Sequence, residues 1–164
     1  MFISKPLLTL SLVALFGTLS FNAFAAGGAV KVTSTAQVEL ELMKDGKKTF
    51  VRQPVEKAIP GTEIIFTNTF ENTSDKAAAD IVINNPIPGS TTFTAGSAFG
   101  ADCDILFSVD GGKNFGHAET LKIVDAEGNE HIALPKEYTN IRWIYKKPLP
   151  TGKSGDVGFR ATIN

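Results

Sequence analysis

The chain has 164 residues, with 43% hydrophobic residues, 20% charged residues and a formal net charge of −1. This balance excludes the basic footprint of a nucleic-acid-binding protein and gives no strong field to steer charged ligands. The length and apolar content suit a protein with one globular core.

The first 25 residues have the pattern of a secretory signal peptide. Lys5 precedes an apolar segment at residues 6–21, and Ala23-Phe24-Ala25 forms an A-x-A cleavage site. A retained membrane anchor is the weaker alternative, because the apolar segment is shorter than the roughly 20 residues that span a bilayer. The sequence therefore predicts a cleavable helical leader over residues 1–25, no membrane span after cleavage, and export to the periplasm, the cell surface or the exterior. One mature domain is expected over residues 26–164.

The mature chain begins with the pattern of a long hairpin. Residues 30–42 alternate apolar and polar side chains toward their end, which indicates a strand with one solvated face. Asp45-Gly46 is typical of a tight hairpin turn. Residues 49–59 are predicted to return as a strand that Pro54 interrupts, which favours a position at a sheet edge.

Further strands are predicted on both sides of a turn-rich segment at residues 72–76. Residues 62–72 alternate as a half-buried strand, and residues 79–84 contain the β-branched run Ile81-Val82-Ile83, which predicts a strand buried on both faces. Pairing should end near Pro86, which cannot donate to a ladder. The remaining predicted strands are residues 91–94, 105–109, 122–124, 132–134, 141–145 and 157–163.

This pattern predicts the fold class. About eight or nine short strands, separated by turns and without a helical period after the leader, indicate an all-β sandwich or barrel. Uneven loops favour an antiparallel β-sandwich with Greek-key connections over an up-and-down barrel.

Several motifs of the mature chain are similar to those of a known family. They include Pro60-Gly61-Thr62, Ile81-Val82-Ile83-Asn84-Asn85-Pro86-Ile87-Pro88-Gly89, Ile141-Arg142-Trp143 and Gly152-Lys153-Ser154-Gly155. The chain resembles the conserved repeat domain of bacterial and archaeal surface proteins, domain-of-unknown-function family eleven. That resemblance implies an immunoglobulin-like sandwich used in envelope architecture, with no catalytic residues. Asn68, Ser74 and Asn85 depart from the family pattern, and the chain contains no second copy of it.

Acidic residues form two candidate sites, an Asp-box motif and a calcium site. Ser108, Asp110, Gly112 and Phe115 fit most of an S-x-D-x-G-x-[TS]-[WF] Asp-box, with Asn114 in place of Thr or Ser. The favoured interpretation is structural, because an Asp at a hairpin corner accepts backbone N–H bonds. Asp102, Asp104 and Asp110, with Asp125, offer oxygen ligands for Ca²⁺, although the EF-hand spacing is absent. A calcium site therefore remains an open alternative.

Cys103 is the only cysteine, which excludes an internal disulfide. The flanking Asp102 and Asp104 disfavour its thiolate, so a packing role is predicted and an intermolecular disulfide is the alternative.

Trp143 and Tyr145 lie on one face of a predicted strand. A sandwich commonly buries a Trp there, while a sugar-stacking platform is the alternative.

The sequence contains no G-x-S-x-G, H-E-x-x-H or C-x-x-C motif, and His117 and His131 are predicted to be solvated loop residues. We therefore expect no enzyme, no cofactor, and no catalytic or metal site. The predicted function is that of a non-catalytic secreted or cell-envelope module with a structural or protein-interaction role. Its expected partner is an unidentified envelope or surface protein, contacted by strand addition along residues 30–42 or the closing strand, which is also a route to self-association. A carbohydrate- or calcium-binding module is the alternative.

Overall fold

The computed structural model describes residues 22–26 and 30–164, and this part of the chain folds into strands with a single short 3-10 turn at Pro135–Glu137. The strands are β1 Asn22–Ala26, β2 Val30–Lys44, β3 Lys47–Pro54, β4 Glu63–Asn72, β5 Ala79–Pro86, β6 Thr91–Phe93, β7 Phe99–Gly100, β8 Cys103–Ser108, β9 Lys122–Val124, β10 Glu130–Ile132, β11 Asn140–Tyr145 and β12 Ser154–Ile163. All strand pairs are antiparallel. The prediction of an all-β, antiparallel fold is confirmed.

The strands form two main sheets. One has the order β1-β5-β11-β8, and the other has the order β3-β2-β4-β12-β6, with β7 paired to β12. A small β9–β10 hairpin stands apart from both. Many neighbours in each sheet are distant in sequence because the chain passes from one sheet to the other, for example between β4 and β5. This arrangement is consistent with the predicted β-sandwich.

Alternate side chains from the two sheets meet in a shared core. Phe159 on β12 stacks against Phe66 on β4 with ring centroids 5.0 Å apart, and it lies 6.4 Å from the ring of Trp143 in the other sheet. The inward-facing set predicted for the closing strand is buried in full: Val157, Phe159, Ala161 and Ile163. The period-two pattern therefore identified the core face of this strand correctly.

Polar side chains bridge the two sheets inside the core. Asn68 on β4 donates from Nδ2 to Oδ1 of Asn85 on β5 at 3.2 Å, and both residues are buried. Ser34 on β2 completes the bridge, because its hydroxyl donates to Asn68 Oδ1 at 2.6 Å. A buried amide costs free energy unless it is hydrogen-bonded. An apolar residue was expected at this inward position. Asn68 is tolerated there because both ends of its amide are hydrogen-bonded.

Two details differ from the sequence predictions. β5 is buried on one face only: Ile81 and Ile83 enter the core, while Val82 is only half-buried on the outer face. The prediction of burial on both faces is wrong, because no further layer covers this side of the sheet among the described residues. In addition, residues 99–100 lie between two predicted strands but form the short strand β7, which pairs with β12.

The predicted leader lies only partly within the described residues. Residues 1–21 lie outside them, so the helical signal peptide predicted there stays a prediction. Residues 22–26, which include the expected cleavage point after Ala25, form β1 and pair with β5. Within residues 22–26 and 30–164, the structure has no helix of the length and apolarity needed to cross a bilayer.

Candidate functional site

Trp143, the candidate for a sugar-stacking platform, is fully buried between the two sheets. The ring of Tyr145, two residues further along β11, meets Phe70 edge-on at a centroid distance of 5.3 Å. A sugar cannot reach the face of an indole that is closed off by the opposite sheet. The prediction that Trp143 is a core residue is therefore confirmed.

Asp110 organises the hairpin that follows β8. Its Oδ1 accepts backbone N–H bonds from Lys113 and Asn114, each at 3.0 Å, and the hydroxyl of Ser108 at 2.7 Å. Asn114 also donates its side-chain amide to Oδ2 at 2.7 Å. These bonds, led by the backbone N–H of Asn114, hold the pKa of Asp110 well below its ordinary value. The structural interpretation of this motif is confirmed, and Asn114 serves as a donor where the Asp-box has Thr or Ser.

The acidic residues considered for calcium are engaged separately. Asp102 forms an ion pair with Lys147 at 2.8 Å, and Asp104 lies 3.9 Å from the amine of Lys146. Asp125 accepts the backbone N–H of Asn129 at 2.8 Å within its own turn. Among residues 22–26 and 30–164, no group of three or more His, Cys, Asp or Glu side chains is placed to hold a metal ion. The structure therefore does not bring Asp102, Asp104 and Asp110 together.

Each of the two histidines lies beside a carboxylate. His117 Nδ1 is 3.9 Å from the carboxylate of Asp104, and His131 Nε2 is 3.3 Å from Glu137. Both side chains are partly exposed. His131 belongs to β10 rather than to a loop, so the loop prediction is wrong for this residue.

Cys103 packs its side chain partly against the core. Burial, followed by the negative charge of Asp102, raises the pKa of the thiol to about 11. The thiol is therefore protonated at neutral pH and is a poor nucleophile. From the sequence, the flanking carboxylates were expected to disfavour the thiolate. In the structure, burial raises the pKa of the thiol more than the charge of Asp102 does. The predicted packing role is confirmed.

The sheet edges are the surfaces where pairing differs most from the predictions. β12, expected to offer an edge, lies inside its sheet between β4 on one side and β6 and β7 on the other. The prediction of strand addition along this closing strand is therefore wrong. β2 pairs with β4 over residues 30–37 on one side and with β3 over residues 37–44 on the other, so each half is paired on one side only. Strand addition along residues 30–42 therefore stays a prediction. β3 lies at the edge of its sheet, as predicted.

The opposite sheet has an edge that depends on β1. In the β1–β5 pair, Asn22, Ala23 and Phe24 lie opposite Asn84, Ile83 and Val82. The register then shifts before the Ala26–Ala79 pair, next to Asp80, whose φ of 52° is in the left-handed region. Cleavage after Ala25 would remove four of the five residues of β1. The edge of β5 would then be open over residues 82–84.

A second unusual surface is a projecting arm, defined here as residues 38–53. Beyond residue 37, β2 pairs only with β3, and the turn residues Asp45 and Gly46 have φ values of 52° and 73°. These values match the type I′ turn favoured in tight hairpins. Large apolar side chains of the arm are exposed: Leu40, Leu42, Met43, Phe50 and Val51.

An open apolar hollow of about 290 Å³ lies between the sheets near the Pro135–Glu137 turn. Aromatic and aliphatic residues line it, including Phe93, Ile105, Phe107 and Tyr138. The hydroxyl of Tyr138 donates to the Ala133 carbonyl at 3.4 Å. Binding pockets usually add convergent polar groups to an apolar wall, and this hollow offers little polar surface to orient a ligand.

In comparisons with known proteins, no family model, no curated protein and no solved structure matches the chain. The resemblance to the surface-protein repeat domain therefore stays a prediction.

Proposed function

We propose that this chain is a non-catalytic, exported β-sandwich module of the cell envelope or exterior that binds another protein by strand addition along β5. The observation that carries this proposal is the position of β1. It covers the edge of β5 and contains the predicted cleavage point after Ala25. A signal peptidase would then remove the strand that completes the sheet.

The open edge of β5 would be held in place by the rest of the sandwich. Ile81 and Ile83 are buried in the core, and β11 pairs along the other side of β5 with Trp143 opposite Ile83. A strand anchored in this way presents fixed backbone N–H and C=O groups at residues 82–84. Such an edge is a template for an incoming strand, with main-chain hydrogen bonds supplying the affinity.

Residues with titratable side chains support a non-catalytic role. The carboxylates of Asp110 and Asp125 are occupied by backbone N–H groups of their own turns. The thiol of Cys103 is protonated at neutral pH, since burial raises its pKa to about 11. A general base or nucleophile must be free to face a substrate. These groups instead stabilise local structure.

The proposal extends to the finer fold, an immunoglobulin-like Greek key. Support comes from the strand order, in which β5, β11 and β8 are neighbours although they are distant in sequence. A buried Trp between two antiparallel sheets, here Trp143, also fits that architecture.

N-terminal sequencing of the exported protein tests the cleavage, and we expect the mature chain to begin at Ala26. Hydrogen exchange then tests the edge. Backbone amides of residues 82–84 that face away from β11 should exchange quickly in the mature protein and become protected when a partner binds. A protein whose N-terminus is still Met1, or whose edge amides are protected without a partner, would contradict the proposal.

Affinity capture from an envelope fraction identifies the partner. We expect Val82→Lys to abolish capture of the specific protein, because a lysine on an edge strand opposes strand addition. Thr33→Lys is the matched control, since it adds the same charge to an exposed position of the other sheet. Equal capture by both variants would exclude the β5 edge as the binding site.

A further inference from the structure

The two sheets of the sandwich stack strand over strand. Asn68 on β4 is hydrogen-bonded to Asn85 on β5 at 3.2 Å, and the ring of Trp143 on β11 lies 6.4 Å from that of Phe159 on β12. β5 therefore lies over β4, and β11 lies over β12. Because β2 is the neighbour of β4 on the side away from β12, a strand added to the free side of β5 must lie over β2.

The inner face of β2 forms an apolar floor beneath that position. Val30, Val32 and Ala36 lie opposite buried residues of β4, so they share its core face, and they are only partly buried. Ile81 and Ile83 enter the core from β5 and form the adjoining wall. The edge of β5 and the inner face of β2 therefore define a groove with an apolar interior, which we call the β5–β2 groove.

β1 shows how a strand is seated along this groove. It pairs antiparallel with β5, and Ala23 lies opposite Ile83. Directly opposite residues of an antiparallel pair share a face of the sheet, and Ile83 is buried in the core. Position 23 is therefore on the core face, whereas positions 22 and 24, opposite Asn84 and Val82, are on the outer face.

The hydrogen-bonded ladder that β5 offers is short. Its regular register with β1 covers residues 82–84, and the register shifts next to Asp80, whose φ of 52° is in the left-handed region. At the other end, Pro86 has no N–H to donate. A few backbone hydrogen bonds add little net free energy, because each replaces a bond to water. The residue that enters the groove must therefore supply much of the affinity and selectivity.

The leader has only alanine at the core-facing position opposite Ile83. Burial of apolar surface favours binding in proportion to the area removed from water. A valine, isoleucine or leucine at this position would bury more apolar surface than alanine does. A charged residue there would lose its hydration without gaining a partner. The leader segment is therefore a weaker occupant of the groove than a strand with a larger aliphatic residue.

We propose that the partner of the β5 edge contributes an antiparallel strand with a larger aliphatic residue opposite Ile83, and that this residue fills the β5–β2 groove. The inference rests on the proposed function and adds the chemistry of the partner segment. Residues 22–25 hold the groove in the precursor. Binding therefore begins only when cleavage removes these residues, which restricts it to the exported protein.

Titration of the purified mature protein with synthetic peptides of residues 20–28 tests the groove, with the backbone amide NMR signals of residues 82–84 as the readout. The Ala23→Val peptide should bind about tenfold more tightly than the Asn22→Val peptide, because only position 23 is on the core face. Asn22→Val is the matched control, since both peptides gain one β-branched residue and its strand propensity. Ala23→Asp should bind at least about tenfold more weakly than the unmodified peptide.

Equal affinities of the two valine peptides, or no binding of either up to about 5 mM, would overturn the proposal. If Val82→Lys still abolished capture of the envelope partner in that case, the proposed function would stand and only the groove would be wrong. If the peptides bind as expected but Val82→Lys and Thr33→Lys capture the partner equally, the proposed function fails and the groove remains.

The uncleaved precursor tests the role of the leader strand. Precursor purified from cells in which signal peptidase is inhibited should bind the Ala23→Val peptide at least about tenfold more weakly than the mature protein does, because residues 22–25 already occupy the edge. Equal affinity of precursor and mature protein would refute the claim that these residues hold the groove.

Discussion

Gly158→Ala should destabilise the sandwich, because the backbone of the neighbouring strand occupies the position of the added methyl group. A Cβ at residue 158 would lie 2.3 Å from the carbonyl oxygen of Phe66 and 2.6 Å from Cζ of Phe99. Phe99 is partly exposed and can turn away. The Phe66 oxygen cannot, since β4 and β12 are paired along the whole core. The strands must therefore separate locally.

The expected cost combines three contributions. Overpacking costs about 1–3 kcal/mol, and loss of a ladder hydrogen bond costs about 1 kcal/mol. The lower backbone entropy of alanine in the unfolded chain offsets about 0.4–1 kcal/mol. We therefore expect the free energy of unfolding to fall by about 2–3 kcal/mol, which corresponds to a fall in Tm of roughly 6–15 °C for a domain of this size.

Urea denaturation and calorimetry measure this change, with Gly89→Ala as the control. Residue 89 is exposed, and a Cβ built there meets no heavy atom within 4 Å. The control should change the free energy of unfolding by no more than about 0.5 kcal/mol. If Gly158→Ala were as stable as Gly89→Ala, the close approach of β4 and β12 at this point would be wrong.

Three further predictions concern single side chains. The lowered pKa of Asp110 stabilises the fold above its unfolded-state pKa of about 3.9, and this contribution is lost as the pH falls. Acid titration should therefore reduce the stability of the wild type more steeply below about pH 4 than that of Asp110→Asn; parallel curves would contradict the assignment. Cys103 should react with a thiol reagent at pH 8 at least about 100-fold more slowly in the folded protein than in urea, because the folded thiol has the higher pKa. Equal rates would show that the thiol is not buried. Trp143→Ala should lower the free energy of unfolding by about 3–5 kcal/mol in chemical denaturation, and a loss below about 1 kcal/mol would be inconsistent with full burial.

Local chemistry allowed much of the structure to be predicted. The turn at Asp45-Gly46 and the hydrogen-bonding role of Asp110 depend on residues within a few positions of each other, so their spacing in the sequence was sufficient. The burial of Trp143 followed from the period-two alternation of a strand. The buried Asn68 was recognised as an exception, but its partner Asn85 belongs to the opposite sheet and could not be identified from spacing.

The candidate interaction surfaces were harder to predict because they depend on what lies next to a strand. Val38 and Leu40 occupy equivalent positions in the same alternation, yet Val38 packs against the core and Leu40 is 40% exposed. The length of the strand was one indication that part of it would be exposed. β2 has 15 residues, far more than the usual 5–6 of a strand, so part of it extends past its neighbours. The role of residues 22–26 at the edge of β5 had no such signal.

The amino-acid sequence by itself determined where most of the longer strands lie and which side chains of strands such as β12 face the core, because alternation and turn formation are local properties of the chain. Tertiary structure decided that β12 is central, that β1 lies at a sheet edge, and that the side chains of Leu40, Leu42 and Val51 are uncovered. Strand order depends on pairing between segments far apart in the chain, and a strand has the same period of two whether it lies at the centre or the edge of a sheet.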